Sequence, residues 1–262
     1  MGRTVDRLPA RPCMARGRWF LLLLPLLFAS PWAAGATVAD DSTKEIWPEM
    51  DLWYRLSPSW RATALIPLSW NPDTHYSEGG FTLQADYVLG RSKSRYFSRK
   101  VDENRVGAMK PYLARLGYAF NASLGDRGET NKEAMLFGEF HLRIPFQGNI
   151  LISHRLRIDE RWIGTDHENS YRIRYRIMTE REWIFNKVSV VPYFSAEPSY
   201  DSRYETVNRV RAIGGASVSW TPRTALEGNV TYQYDSRSSV TQILALNLIL
   251  HVFFEAKPAA QN

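Results

Sequence analysis

Arginine occupies alternate positions in two neighbouring stretches of the chain. The first stretch, residues 154–162, reads HRLRIDERW, and the second, residues 171–176, reads YRIRYR. Guanidinium groups bind carboxylates and other oxyanions through paired N–H donors, so side chains at this spacing could form ion pairs or hold anions. A spacing of two puts residues on one face of a β-strand. The arginines therefore predict two adjacent strands that share a strongly charged face.

The pairing of these strands can be predicted from the turns around them. We assume that they pair through residues 164–169, and that the first also pairs with a preceding strand through a turn at Gln147. Every charge then falls on the polar face of its strand, as a correct register requires. The predicted facing pairs are Arg161–Arg172, Asp159–Arg174, Arg157–Arg176, Glu139–Arg155 and Glu133–Arg161.

Charged residues alternate with apolar residues in other predicted strands as well. Together, these charges predict a network inside a barrel. The expected arginines of the network are Arg115, Arg143, Arg155, Arg157, Arg161, Arg172, Arg174, Arg176, Arg209 and Arg211. The expected acids are Asp86, Glu133, Glu139, Asp159, Glu197 and Glu227. Unpaired charges in a narrow interior are costly, so the network should be ion-paired. It could simply fill the interior, form a cationic constriction that passes small anions, or bind an acidic or lipid-derived ligand.

Ten segments of alternating character, separated by turn residues, would carry these side chains. They lie near 60–70, 80–90, 110–120, 133–144, 150–163, 170–180, 187–198, 206–220, 225–235 and 241–254. Ten is an even number, as a bacterial membrane barrel has when both termini lie on one side. A further hairpin within 91–109, or a strand within 47–56, would make twelve. We predict an all-β, antiparallel, up-and-down transmembrane barrel of about ten strands.

The last strand and the aromatic residues favour a membrane barrel. Residues 244–254 place Leu, Val and Phe at every second position, with Asn247 and His251 on the other face. Trp60 and Trp70 are ten residues apart, which spans about 25 Å at ~3.3 Å per residue and ~40° tilt, the height of an apolar band. The expected membrane-interface aromatics are Trp60, Trp70, Trp162, Trp220, Tyr234 and Phe254. A soluble periplasmic barrel that binds an acidic ligand, or a β-sandwich, shares the alternation, but its apolar face would point inward.

The N-terminus has the features of a cleaved export signal. Arginines precede the apolar run 19–28, and Ala34-Gly35-Ala36 supplies a cleavage site, with Met1 or Met14 as the start. The run is too short to span a membrane as a helix. Removing 1–36 takes away five arginines and one aspartate, so the net charge falls from +6 to +2, and no nucleic-acid partner is implied. The predicted divisions are a signal peptide (1–36), a periplasmic lead-in (37–58), an outer-membrane barrel (59–254) and a tail (255–262).

Catalytic and metal chemistry have little support in the sequence. A triad-like group of His141, Ser153 and Glu139 is the best available, since His141 would face Ser153 in the predicted register. It is a weak candidate for a lipid-modifying enzyme, and we expect no enzyme, no cofactor and no metal. The only cysteine, Cys13, lies in the predicted signal. The expected partners are outer-membrane lipid, the machinery that assembles outer-membrane barrels, and small anions.

Several of these motifs occur together in a known order. The two arginine stretches are followed by 192–197 (PYFSAE), Asn208-Arg209 and the apolar last strand. This order resembles the uncharacterised bacterial family catalogued as domain of unknown function 2490, whose members look like small outer-membrane barrels. Asp159 stands where that family usually has Glu. The resemblance implies the fold and the location, and it carries over no activity.

Overall fold

The structure is a computed structural model that describes residues 42–57, 59–90, 111–124, 132–164, 168–186, 188–221, 223–238 and 240–255. The predicted signal peptide, and all of the predicted tail beyond Glu255, lie outside these ranges. None of the described residues forms a helix that is long and apolar enough to cross a membrane. The secondary structure of these ranges consists of β-strands and turns.

The described residues form twelve strands. They are β1 (Ser42–Arg55), β2 (Trp60–Trp70), β3 (Ser77–Leu89), β4 (Tyr112–Ser123), β5 (Lys132–Phe146), β6 (Ile150–Ile163), β7 (Glu168–Arg181), β8 (Trp183–Phe185), β9 (Val188–Asp201), β10 (Thr206–Thr221), β11 (Thr224–Asp235) and β12 (Gln242–Glu255). The ten predicted segments correspond to β2–β7 and β9–β12. The three-residue strand β8 pairs only with β9.

Eleven strands close into a barrel. Each of them pairs with its neighbours in chain order, β9 follows β7, and the sheet closes through β1 and β12. All neighbouring pairs are antiparallel except β1 and β12, which run parallel. The predicted fold class, an all-β and mostly antiparallel barrel, is confirmed.

The additional wall strand is β1, which lies in the segment that the sequence analysis assigned to a lead-in. Its alternate residues, including Glu49, Asp51 and Trp53, share the face of the inward-facing residues of β2 and β12, while Met50 and Tyr54 are exposed on the other face. The wall therefore has eleven strands instead of ten. An even strand number is required only when both termini lie on the same side of the barrel. Here β1 runs parallel to β12, so β1 begins at one end of the barrel and β12 finishes at the other.

The two faces of the wall have opposite chemistry. Asp86 and Asp159 are fully buried on the inner face, whereas Leu116 (61 %), Leu83 (56 %) and Ile158 (52 %) are exposed on the outer face. Water-soluble barrels bury their apolar side chains inside. This barrel has the reverse arrangement, because polar or charged residues alternate with apolar residues along the strands and the polar ones point inward.

A small apolar cluster interrupts the polar interior beside β4. Ala119, Met135 and Phe137 are buried together there. Gly117 lies directly opposite Phe137, and a Cβ atom at this glycine would be 2.3 Å from Cζ of the ring. Glycine is required at position 117 because the phenyl ring occupies the space of a side chain.

Candidate functional site in the barrel lumen

The strand register brings inward-facing polar residues, nearly all of them charged, into one continuous row. Residues directly opposite each other on successive strands from β2 to β11 are Arg61, Asp86, Arg115, Glu139, Arg157, Arg174, Ser199, Arg209 and Asp235. Directly opposite side chains on one face of a sheet lie about 5 Å apart at Cβ, which is close enough for charges to interact. Positive and negative groups alternate over much of the row, and this order determines the ion pairs.

Asp86 and Glu139 form the ion pairs in the first part of this row. The Asp86 carboxylate accepts hydrogen bonds from Arg61 Nη2 at 2.7 Å and from Arg115 Nε at 2.6 Å. The Glu139 carboxylate accepts from Arg115 Nη1 at 3.1 Å and Arg157 Nη1 at 2.9 Å. Both acids are buried, so each is compensated by more than one guanidinium, as a buried carboxylate requires.

Asp159 sits among three arginines at the meeting point of β6 and β7. Arg157 Nε donates to it at 2.5 Å, Arg172 Nε at 3.0 Å and Arg174 Nη2 at 3.1 Å. Arg157 and Arg174 are directly opposite each other, which alone would be repulsive. The carboxylate between them removes that repulsion.

Glu197 on β9 has a comparable position farther along the lumen. It accepts a hydrogen bond from Arg176 Nε at 2.8 Å and another from Arg155 Nη2. Its side chain is 1 % exposed. The pairing of β7 with β9 is interrupted here, opposite Pro198, since proline has no N–H to donate to the neighbouring strand.

The predicted register was wrong by two residues in both hairpins. The structure places Asp159 opposite Arg172, and Arg157 opposite Arg174. The other observed pairs are Arg155–Arg176, Arg161–Ser170, Glu139–Arg157 and Glu133–Ile163. A shift of two keeps every residue on its face, so facial patterning cannot detect it. In the first hairpin, Gly148 and Asn149 adopt positive φ values of 79° and 59°, which moves the centre of the turn one residue beyond Gln147.

The triad-like group does not assemble as predicted. His141 Nε2 contacts the Glu139 carboxylate at 2.9 Å. The residue opposite His141 is Arg155, however, and Ser153 is opposite Arg143. Because the register is shifted, the predicted facing of His141 and Ser153 does not occur.

The wall formed by β11, β12 and β1 differs in chemistry from the arginine-rich wall. His251 Nδ1 is 3.1 Å from Asp51 Oδ2, and its Nε2 is 3.3 Å from Glu227 Oε2. Farther along, Asn247 Nδ2 donates to Asn229 at 2.6 Å and to Thr231 at 2.9 Å. Within the described ranges, no three histidine, cysteine or acidic side chains are arranged to hold a metal ion.

Sequence reasoning missed several members of the network. Asp51 lies on the unexpected strand β1, and Arg61 pairs with Asp86. Asp201 accepts from Arg161 Nη1 at 2.8 Å, and Asp235 accepts from Arg209 Nε at 2.8 Å. Both of these acids end their strands. Asp201 lies beyond the predicted strand 187–198, whereas Asp235 lies within the predicted strand 225–235.

A turn residue joins the network at the rim. Arg203, between β9 and β10, donates from Nη2 to Asp201 at 2.8 Å. This hydrogen bond raises the pKa of the Arg203 guanidinium above its usual value. The contact extends the ion pairs from the lumen to the connection between these strands.

The predicted interface aromatics lie on the outer face of the wall. Trp60 and Trp70 are exposed at opposite ends of β2. Trp220, Tyr234 and Phe254 are also exposed near strand ends, and Trp162 is half-buried near the end of β6. Each end of the barrel therefore carries aromatic side chains on its outer surface.

A family model matches most of the chain. The model of the family described as "Protein of unknown function (DUF2490)" matches residues 45–243. The chain belongs to the DUF2490 family. The match begins within β1 and ends at the start of β12, so it covers nearly the whole wall of this DUF2490 barrel and confirms the resemblance expected from the arginine motifs. None of the curated proteins matches the chain.

Proposed function

We propose that this DUF2490 protein is a bacterial outer-membrane β-barrel whose ion-paired lumen passes or holds small anions. The observation that carries the location is the reversal of the two faces, with buried carboxylates inside and exposed leucine, isoleucine and aromatic residues outside. An apolar outer band with aromatic residues near both ends is what a lipid bilayer stabilises. The predicted signal peptide would export the chain to that membrane.

The arginine-rich wall supports the preference for anions. Seven arginines contact four acids, Asp86, Glu139, Asp159 and Glu197, so positive charge exceeds negative charge within this group. Cationic rings favour anion passage through narrow pores. Arg155 and Arg161 on β6 pair with Glu197 and Asp201 on β9, and only β7 lies between these two strands. Most other ion pairs link adjacent strands, so the network runs along the wall.

The width of the barrel limits what could pass. An eight-stranded barrel is filled by its own side chains, and barrels of 16–18 strands leave an aqueous channel. An eleven-stranded barrel lined by arginines falls between these cases. We therefore propose a passage for small ions rather than for large solutes.

Bilayer conductance tests this proposal. The purified barrel, inserted in a planar bilayer under a KCl gradient, should give a reversal potential that reports chloride preference. Replacing Arg157 and Arg174 together by Gln should reduce that preference several-fold, and Arg223→Gln in the β10–β11 turn is the matched charge control. Cation preference, or a preference indifferent to the lumen changes, would contradict the anion passage. Bilayers that show no conductance would contradict the anion passage and leave a barrel with a structural role only.

The two alternatives have less support. A soluble periplasmic barrel was expected to have its apolar face inward, and the observed faces have the opposite orientation. A lipid-modifying enzyme would need a nucleophile beside His141, and Ser153 is opposite Arg143 instead. That the protein is not an enzyme stays a prediction. We also propose outer-membrane lipid and the barrel-assembly machinery as partners, because lipid would surround the outer face and β12 offers that machinery an apolar closing strand.

A further inference from the structure

We infer that three arginines, which we call the guanidinium cluster (Arg155, Arg176 and Arg211), form a binding site for a phosphate-type oxyanion. This inference rests on the proposed lumen and deepens it, because it assigns a site and a ligand class. Arg155 is directly opposite Arg176, and Glu197 is directly opposite Arg211. Two of these arginines, Arg155 and Arg176, donate to the Glu197 carboxylate, and the third stands directly opposite it on β10.

Arg211 is the least neutralised member of the cluster. Its Nε donates to Gln233 Oε1 at 2.6 Å, and its guanidinium lies 5.9 Å from the centre of the Trp47 ring. In the described part of the chain, no carboxylate oxygen lies within 4.0 Å of its nitrogens. The amide and the indole hold the side chain in place, while both Nη groups stay available as donors. A fixed fork of N–H donors fits two oxygens of a carboxylate or phosphate.

Arg176 and Arg155 also have unused donors. Arg176 contacts Glu197 through Nε alone, and its side chain is 26 % exposed to the lumen. Arg155 Nε is buried without a hydrogen-bond partner among the described residues. Buried donors and charges that lack partners are costly. A bound anion would compensate the positive charge that Glu197, together with Glu139 at 3.5 Å from Arg155 Nη1, does not balance.

The spacing of the cluster suits a polyatomic anion. Arg176 and Arg211 lie on strands separated only by β9, which places their backbones about 10 Å apart. Two arginine side chains at this spacing are long enough to hold one tetrahedral oxyanion between their forks. A monatomic ion cannot accept two divergent pairs of N–H donors as well, so we expect phosphate to bind more tightly than chloride.

The phosphate group could come from two sources. A free anion would enter through the lumen. A lipid phosphate would have to reach the cluster through the wall, and the interruption of the β7–β9 pairing at Pro198 lies directly beside Arg176 and Glu197. The chemistry of the site is the same in both cases, so the experiment must separate them.

Calorimetric titration of the folded, purified barrel in neutral detergent tests the site. Inorganic phosphate is the first probe, and short-chain phosphatidic acid in the same detergent is the second. We expect one equivalent of at least one probe to bind, and Arg211→Gln or Arg176→Gln to weaken it by at least about tenfold, the effect of losing a charge-assisted hydrogen bond. Arg211→Lys, which keeps the charge without the fork, should also weaken binding. Arg223→Gln is the control with equal loss of charge, and heat-modifiable migration verifies the fold of each variant.

Each outcome decides between the sources or against the site. Cluster-dependent binding of inorganic phosphate identifies a free anion, and cluster-dependent binding of phosphatidic acid alone identifies a lipid headgroup. Binding of neither probe, or binding that the Arg176 and Arg211 variants leave unchanged, overturns the inference. Because calorimetry needs no conduction, a barrel that binds phosphate but is silent in bilayers keeps the site and loses the passage. Anion-selective conductance without phosphate binding would support the anion passage and overturn the phosphate site.

Discussion

Arg115 and Arg211 face the same lumen, yet their surroundings differ. Arg115 donates through Nε and both Nη groups to Asp86 and Glu139, at 2.6 to 3.1 Å. Arg211 donates through Nε to one neutral amide. The difference arises from the residues on adjacent strands, which are two acids for Arg115 but Glu197 and Gln233 for Arg211. Cross-strand neighbours therefore decide whether a lumen arginine stabilises the wall or is available to a ligand.

The largest effect should come from the acid-matched region. Asp159→Asn leaves Arg157, Arg172 and Arg174 without their shared carboxylate. Removing one partner from a buried ion pair costs about 3–5 kcal/mol. We expect a loss of this size in the free energy of unfolding, measured by urea titration of the barrel in lipid vesicles. Asp73→Asn, in the exposed turn after β2, is the control, and a loss below about 1 kcal/mol for Asp159→Asn would show that the ion pairs contribute little.

The regions around Arg115 and Arg211 should be enclosed by the same lipid-facing wall. Leu116 lies in the middle of β4 and is 61 % exposed on the outer face. Leu116→Arg should cost about 2–4 kcal/mol in a bilayer, because arginine is unfavourable near the midplane. Val207→Arg, near the end of β10, should cost about 1 kcal/mol or less in the same urea titration. Equal and negligible costs at the two positions would mean that the outer face contacts water.

A direct pair of variants sharpens the difference between Arg115 and Arg211. Arg115→Gln removes three hydrogen bonds to carboxylates, although Asp86 keeps Arg61 and Glu139 keeps Arg157. We expect a cost of about 2 kcal/mol, in the range for hydrogen bonds to charged groups. Arg211→Gln leaves no carboxylate without its partner, so its effect should stay within about 1 kcal/mol. Equal losses in vesicle-based unfolding would remove the distinction between the two regions.

Facial patterning predicted much of the barrel. Period-two alternation identified ten strands, and it placed the charges of β5, β6 and β7 on one face, because each residue in a strand points opposite to the next. The same alternation assigned Trp60 and Trp70 to the outer face. These features are properties of single strands, so they can be read without knowledge of the partners.

Features that depend on two strands could not be predicted in the same way. The register of β5, β6 and β7 was wrong by two, since the backbone geometry at Gly148 and Asn149 sets it and facial patterning does not. The segment of β1 was assigned to a lead-in, with a strand within 47–56 left open, because only its pairing with β12 and β2 shows that it completes the wall. The guanidinium cluster follows from the register, since only the observed pairing shows that Arg211 faces Gln233 and Glu197, an acid that already pairs with Arg155 and Arg176.

The central claim is that this inverted barrel spans the outer membrane with its charges inside. The most direct measurement is gel migration of the protein from an outer-membrane fraction, compared between unboiled and boiled samples in detergent. We predict a compact unboiled band that shifts on boiling to the mass of the chain without its predicted signal peptide. A protein recovered in the soluble periplasmic fraction, without any shift, would contradict the account.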